Sequence, residues 1–165
     1  HRGSSFGGLG MSSQPTNEQF ENLIAEKLKR FSKNETIFIE AESANIGSCR
    51  IPHEFFKQMK NANRIEILQS KKKRIQELIN TYSVYPRSEL KNSVMRISKR
   101  LGPQRTKKAI EAIDNKNWEE VCNAVLEYYD KCYDHELANN MNVSIINIQD
   151  KKESEIIELI SNETN

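Results

Sequence analysis

The sequence predicts an α/β fold, a short and mostly parallel sheet followed by a mainly helical segment over residues 70–133. Three observations predict it. Ile37-Phe38-Ile39 is an unbroken run of strand-favouring residues, the pattern of a strand buried on both faces of a parallel sheet. Residues 64–68 alternate loosely and read as a second short strand. Between and after these runs, apolar residues recur at helical spacing, as α/β chains require.

Taken in order, the glycine-rich residues 1–10 read as loop, whose successive backbone N–H groups can form an anion-binding nest with Arg2 adding charge. Residues 16–32 read as a helix: Thr16 and Gln19 have capping-box spacing, and Phe20, Leu23, Ile24, Leu28 and Phe31 form one stripe. The strand over 37–39 follows, and then Ser43, Asn45 and Gly47 turn the chain. Pro52 suits the first turn of a second helix, with Phe55, Phe56 and Met59 buried. After Ser70 a helix carries Ile75, Leu78, Ile79 and Tyr82 inward. Its first turn holds Lys71, Lys72, Lys73 and Arg74, where the helix dipole opposes cations. A charge cluster so placed invites an anionic partner.

Residues 86–101 read as one helix with the stripe Leu90, Val94, Ile97 and Leu101, and with Arg96, Lys99 and Arg100 opposite. Gly102-Pro103 stops it. Arg105, Lys107 and Lys108 begin the next helix. Residues 117–129 form another, with Trp118, Val121, Cys122, Val125 and Leu126 inward. A last strand over 143–148 and a last helix over 153–160 complete the chain.

The 165 residues suffice for one domain with a real core. With 36% hydrophobic and 29% charged residues, the chain reads as soluble and globular rather than disordered. Neither a membrane span nor a signal peptide is expected. Cys49, Cys122 and Cys132 lack zinc spacing, and an odd, scattered count suits a reducing cytoplasm. Net charge is only +2. From Lys71 to Lys108, however, twelve Lys/Arg stand against Glu77 and Glu89, a net +10, which leaves 13 Lys/Arg and 21 Asp/Glu elsewhere, a net −8. That asymmetry predicts a face for a polyanion, the alternative being a solvated helix surface.

Two carboxylates follow the 37–39 run. In extended backbone Glu40 and Glu42 point the same way, about 7 Å apart. They would face one site beyond the strand's carboxyl end, where open α/β sheets place ligands. The alternative is a solvated loop after a core strand.

The run from Phe38 to Gly47 with Ile51-Pro52, the amino-terminal residues 1–10, Gln14-Pro15 with Phe20-Glu21-Asn22, Lys99-Arg100-Leu101-Gly102, and Tyr128-Tyr129-Asp130 with Tyr133 together resemble the tRNA 2-selenouridine synthase family, in the family's order and over most of the chain. The resemblance implies a partial P-loop-NTPase-like parallel sheet followed by a mainly helical segment. Residues 1–70 would be the second part of a P-loop-like domain, 71–135 a basic helical segment, and 136–165 a carboxyl-terminal strand and helix.

In that family a rhodanese-like domain with a reactive cysteine and a Walker A loop lie upstream. No G-x-x-x-x-G-K-[ST] occurs in this sequence. His1-Arg2-Gly3-Ser4 reads as a cloning scar or as native sequence; the family-like continuation to Gly10 favours the second, so the chain is expected to be a fragment with its amino-terminal part missing and no transfer or hydrolysis activity alone. The missing parts would sit in the same gene or in a separate chain.

The family replaces sulfur by selenium at the wobble 2-thiouridine of certain tRNAs. It uses selenophosphate and passes through a geranylated intermediate, which makes geranyl diphosphate a second substrate. Carried onto this chain, the resemblance makes Glu40 and Glu42 the catalytic candidates, holding a magnesium-bound water or acting as a base. Arg2, Gly3, Ser4 and Arg74 would bind substrate phosphates. Lys71, Lys72, Lys73, Arg96, Lys99, Arg100, Arg105, Lys107 and Lys108 would hold tRNA, with no role for DNA. No cofactor is expected within the chain, and the three cysteines are not assigned the rhodanese role. The second reading, from another class, is a non-catalytic RNA-binding or scaffolding domain that works with a separate catalytic polypeptide.

Overall fold

Helical stripes and caps decide most local structure in this chain, and one pair of distant strands joins residues 64–68 to 143–147. In the computed structural model, residues 4–41, 43–137 and 143–163 are described, with backbone alone for 132–137. Helix α1 spans Asn17–Leu28, and the Thr16 hydroxyl accepts the Gln19 N–H at 3.3 Å as its cap. Strands β1 (Asn45–Ile46) and β2 (Cys49–Arg50) form an antiparallel hairpin, and α2 runs over His53–Asn61 from an N-cap at Pro52. Strand β3 (Arg64–Leu68) leads into α3 (Lys71–Tyr82), capped by the Ser70 hydroxyl on Lys73 N–H at 3.4 Å. Four more helices follow, α4 (Arg87–Arg96), α5 (Ser98–Leu101), α6 (Pro103–Asp114) and α7 (Trp118–Leu137). Strand β4 (Val143–Asn147) and α8 (Glu153–Asn162) end the described chain.

Strand β4 returns to lie parallel to β3, in the register Arg64↔Val143 to Leu68↔Asn147. Parallel strands need a long crossover, and here helices α3 to α7 provide it. The α/β class, the strand at Ile65–Ile67 and the last strand and helix are therefore as expected.

The strand expected at Ile37–Ile39 is not formed. Residues 35–41 join no ladder among the described residues, and Ile37, Phe38 and Ile39 are 37%, 55% and 46% exposed. An apolar run becomes a strand only when neighbours satisfy its backbone N–H and C=O groups. The described residues bring none alongside. Ile67, Leu68 and Ile145 on the two-stranded sheet are exposed as well.

The helix expected over 86–101 is also broken. At Ile97 (φ −99°, ψ 4°) the N–H bonds the Val94 carbonyl at 3.2 Å, a three-residue turn that redirects the axis. The change of direction buries both Ile97 and Leu101. Gly102, at φ 86° and ψ 158°, joins α5 to α6 in a conformation open only to glycine.

The main core lies among α4, α5, α6 and α7. Leu90, Val94, Ile97 and Leu101 meet Ala109, Ala112, Ile113, Val121, Ala124 and Val125. Phe6 of the glycine-rich segment enters this core and meets Tyr82 edge-on at 5.9 Å between centroids. Residues 4–10 are thus loop, folded as consecutive turns (Leu9 N–H to Phe6 carbonyl, 2.9 Å), and pinned to the helices.

A smaller core of Phe20, Cys49 and Ile51 lies under α1, the hairpin and α2. Gln14 braces it. Its Nε2 donates to the Ile46 carbonyl at 2.6 Å, while its Oε1 accepts from Ser48 N–H at 2.8 Å and from the Ser48 hydroxyl at 3.1 Å. Two-residue hairpin turns favour positive φ at the first central position, and Gly47 supplies it at φ 64°. A Cβ on Gly47 would also collide with Gln14 Oε1.

Gly47→Ala is therefore expected to destabilise by at least about 1–2 kcal/mol from the backbone alone, and Gln14→Ala by about 1–2 kcal/mol. Together they should cost less than the sum, by more than about 0.5 kcal/mol, because removing the amide relieves the collision. Urea unfolding of the four proteins checks this; strict additivity would show that Gln14 does not constrain position 47.

Candidate nucleic-acid interface

Of the carboxylate pair that the sequence singles out, Glu40 lies in a segment that joins no ladder among the described residues. Glu40 is exposed, and Glu42 lies outside the described residues. Between them the Ala41 carbonyl accepts from Arg64 Nη2 at 3.5 Å. The same-face geometry required an extended strand, and among the described residues no neighbouring strand fixes one. Magnesium takes one or two carboxylates and keeps several waters; Glu40 is the described carboxylate available for it. No group of three His, Cys, Asp or Glu side chains among the described residues is placed to hold a metal ion.

Of the phosphate-binding candidates, Arg2 and Gly3 lie outside the described residues. The Ser4 hydroxyl accepts the Gly7 N–H at 2.8 Å and so closes its own turn. Arg74 is ion-paired with Asp130, which ties α3 to α7. Sequence alone could not reveal that partner, 56 positions away.

The nine basic candidates fall into two groups. Arg105 pairs with Glu127 at 3.0 Å, Lys107 with Glu111 at 3.9 Å, and Lys108 with Glu120. The hydrogen bond and charge of Glu120 hold the Lys108 ammonium above its ordinary pKa. By contrast Lys71, Lys72, Lys73, Arg96, Lys99 and Arg100 are exposed, and no carboxylate among the described residues lies within 4 Å of any of them. Lys71 to Lys73 begin α3, whose first turn holds no acidic residue. Arg96 ends α4, and Lys99 and Arg100 stand on α5 opposite the buried Ile97 and Leu101.

One feature of this surface carried a faint sequence signal. Where α4, α5 and α6 meet, a groove of about 570 Å³ is lined by Met95, Ser98, Lys99, Gly102, Pro103, Thr106, Lys107, Ile110 and Glu111. Met95 falls off the apolar stripe of α4 and is 55% exposed. A large apolar residue on a polar face was the available hint.

The two described thiols differ in burial, Cys49 being buried and Cys122 half-buried. Cys49 is 1% exposed and its Sγ lies 3.6 Å from the Pro15 carbonyl. Burial, with Glu119 adding to it, pushes the Cys122 thiol up to about 11 from 9.0. Its protonated form stabilises the fold fully below 9.0, and that contribution is lost as pH rises through about 11. The side chain of Cys132 lies outside the described residues. His53 is exposed, with Nδ1 3.0 Å from Glu54 Oε1; the His135 side chain is also outside the described residues. No helix among the described residues is long and apolar enough to cross a membrane.

In a Cys132→Ser background, iodoacetamide at pH 8 should alkylate the folded chain at least about tenfold more slowly than the urea-unfolded chain. Equal rates would show that Cys122 is an accessible, ordinary thiol.

Comparison with known proteins agrees with this geometry in class. Residues 1–165 match the family described as the tRNA 2-selenouridine synthase AAA domain, and that designation fits the P-loop-like α/β class. The chain is 29% identical over 161 residues to the tRNA 2-selenouridine synthase of Hydrogenovibrio crunogenus, covering 83% of this chain and 44% of that protein. It is 37% identical over 84 residues to that of Shewanella woodyi, covering 50% and 23%. With that of Alcanivorax borkumensis it shares 36% over 91 residues, covering 54% and 25%. The chain thus spans less than half the length of these curated relatives. No solved structure matches it significantly. The match extends over every residue of the chain, which therefore belongs to the tRNA 2-selenouridine synthase AAA domain family.

Proposed function

We propose that this chain supplies the tRNA-holding part of a cytoplasmic tRNA-modifying transferase, one that replaces sulfur by selenium at a wobble 2-thiouridine. The observation that carries the reading is the set of six exposed cations without a carboxylate within 4 Å among the described residues, on a chain of this family. Selenophosphate and geranyl diphosphate would be the small substrates, by way of a geranylated intermediate. The rhodanese and phosphate-loop parts would come from elsewhere in the protein or from a separate polypeptide. Glu40 and Glu42 would act as a base or hold a magnesium-bound water. Arg2, Gly3, Ser4 and Arg74 would receive phosphate oxygens, Arg74 through the edge of its guanidinium that Asp130 leaves open.

The six cations would contact the tRNA backbone, which positions the substrate without specifying its sequence. Arg105, Lys107 and Lys108 would contribute less, because each must first leave its carboxylate. The second reading, a non-catalytic RNA-binding or scaffolding domain, draws support from the buried Cys49 thiol and from the solvent-facing Glu40, whose segment joins no ladder among the described residues.

Binding of tRNA should weaken steeply with salt, because phosphate contacts release counterions. Lys99→Ala with Arg100→Ala should flatten the log–log slope by roughly one to two units, alike for all tRNAs, with Tm unchanged. Arg105→Ala with Lys108→Ala should change the slope less and lower Tm more. An unchanged slope in the Lys99/Arg100 variant would overturn the interface.

In a protein that also carries the upstream parts, Glu40→Gln and Glu42→Gln should each reduce turnover far more than stability. Parental turnover in both variants would make the pair a loop feature and favour the non-catalytic reading.

A further inference from the structure

The groove at the junction of α4, α5 and α6 differs from the rest of the basic surface. Its volume, about 570 Å³, falls within the roughly 300–1,000 Å³ of small-molecule sites. Its floor is apolar, from Met95, Pro103 and Ile110, and Lys99 and Lys107 stand among its lining residues. A surface serving phosphates alone needs no apolar floor.

We propose that this groove holds one unpaired nucleotide of a bound RNA, its base laid against Met95, Pro103 and Ile110 and its flanking phosphates on Lys99 and Lys107. The proposal rests on the reading above that the basic surface holds RNA, and adds to it a place where a single base is taken up. Charge complementarity selects the occupant. Lys99 has no carboxylate within 4 Å among the described residues. Lys107 shares only an exposed pair with Glu111, 3.9 Å away on the same helix, and such a pair is worth little. A phosphate can displace it.

The end of α6 adds to the attraction. No side chain caps its N-terminus and its first turn holds no carboxylate, so the positive end of its dipole is left for an anion. Beside it, a Cβ placed on Gly102 would meet no atom within 4 Å. The groove is therefore open at that point, and the conformation of Gly102 keeps a side chain from closing it.

A base within a duplex cannot reach the floor, because it is stacked and paired. Loop and single-stranded nucleotides can, and base contact with side-chain faces is how proteins commonly read unpaired RNA. Glu111, also in the lining, repels phosphate and can accept from an exocyclic amino group. It therefore sets which end of the groove receives the base.

The test uses the 165-residue chain and three RNAs with equal numbers of phosphates. One is a single strand with a central 2-aminopurine, the second has an abasic site at that position, and the third is a blunt duplex. The single strand should bind about tenfold more tightly than the abasic strand, with a change in 2-aminopurine fluorescence, and the duplex should not exceed the abasic strand. Met95→Ser with Pro103→Ala removes apolar surface without changing charge, at one exposed side chain and at a helix start where alanine is tolerated. This variant should bring the single strand down to the abasic level, with the salt slope and Tm unchanged. Equal affinity of the parent for intact and abasic strands, or an unaffected variant, would overturn the base site while leaving the basic interface standing. No salt-dependent binding of any of the three RNAs would overturn both.

Discussion

Burial of Val94, Leu101, Ala109 and Ile113 where α4, α5, α6 and α7 meet is the contact on which the rest of the molecule depends. These four residues are at most 1% exposed. Burial of each large aliphatic side chain contributes about 1.5–3 kcal/mol, and the alanines let the backbones approach. The contact also sets directions. With Leu101 held inward, Lys99 and Arg100 on the same short helix must face solvent. Helix α6 follows Gly102 and starts at Pro103, both of which line the groove, so its uncapped end lies beside it. Phe6 enters the same core, so apolar packing positions the described part of the glycine-rich segment.

Electrostatics then sorts the cations this framework displays. Glu111, Asp114, Glu120, Glu127 and Asp130 follow the basic stretch in sequence and return to pair with Lys107, Lys91, Lys108, Arg105 and Arg74. Exposed pairs of this kind contribute about 0–1 kcal/mol each. Their larger effect is to orient α3 and α6 against α7. The positive field that remains comes from α3's first turn and from α4 and α5. At α3 the dipole opposes the three lysines, and an approaching anion relieves a tension already present in the folded chain.

The sheet is the least complete part of the architecture. Parallel strands are ordinarily covered on both faces, yet β3 and β4 form a two-stranded ladder with Ile67, Leu68 and Ile145 exposed. The smaller core under α1 is independent of it, closed by the Gln14 amide and by Asn17, whose Oδ1 accepts the Arg50 N–H at 2.9 Å. Side-chain amides here do what a third strand would do elsewhere: they satisfy the hairpin's outer backbone groups.

The sequence by itself determined whatever depends on near neighbours along the chain. The caps at Thr16 and Ser70, the stop at Gly102-Pro103, the inward stripe from Leu90 to Leu101 and the outward Arg96, Lys99 and Arg100 all follow from spacings of a few residues. So does the strand character of β3 and β4. Only the tertiary structure decided what depends on distant partners. Among the described residues it left Ile37–Ile39 without a ladder, because a strand is defined by the neighbour that bonds it. It broke the helix at Ile97 so that two side chains could reach one core, and folded Gln14 over the Gly47 turn. It paired Arg74 with Asp130 but left Lys99 without a carboxylate within 4 Å among the described residues, and it opened a groove beside Met95. Periodicity reports which face is apolar, whereas ladders, ion pairs and cavities exist only once separate segments meet.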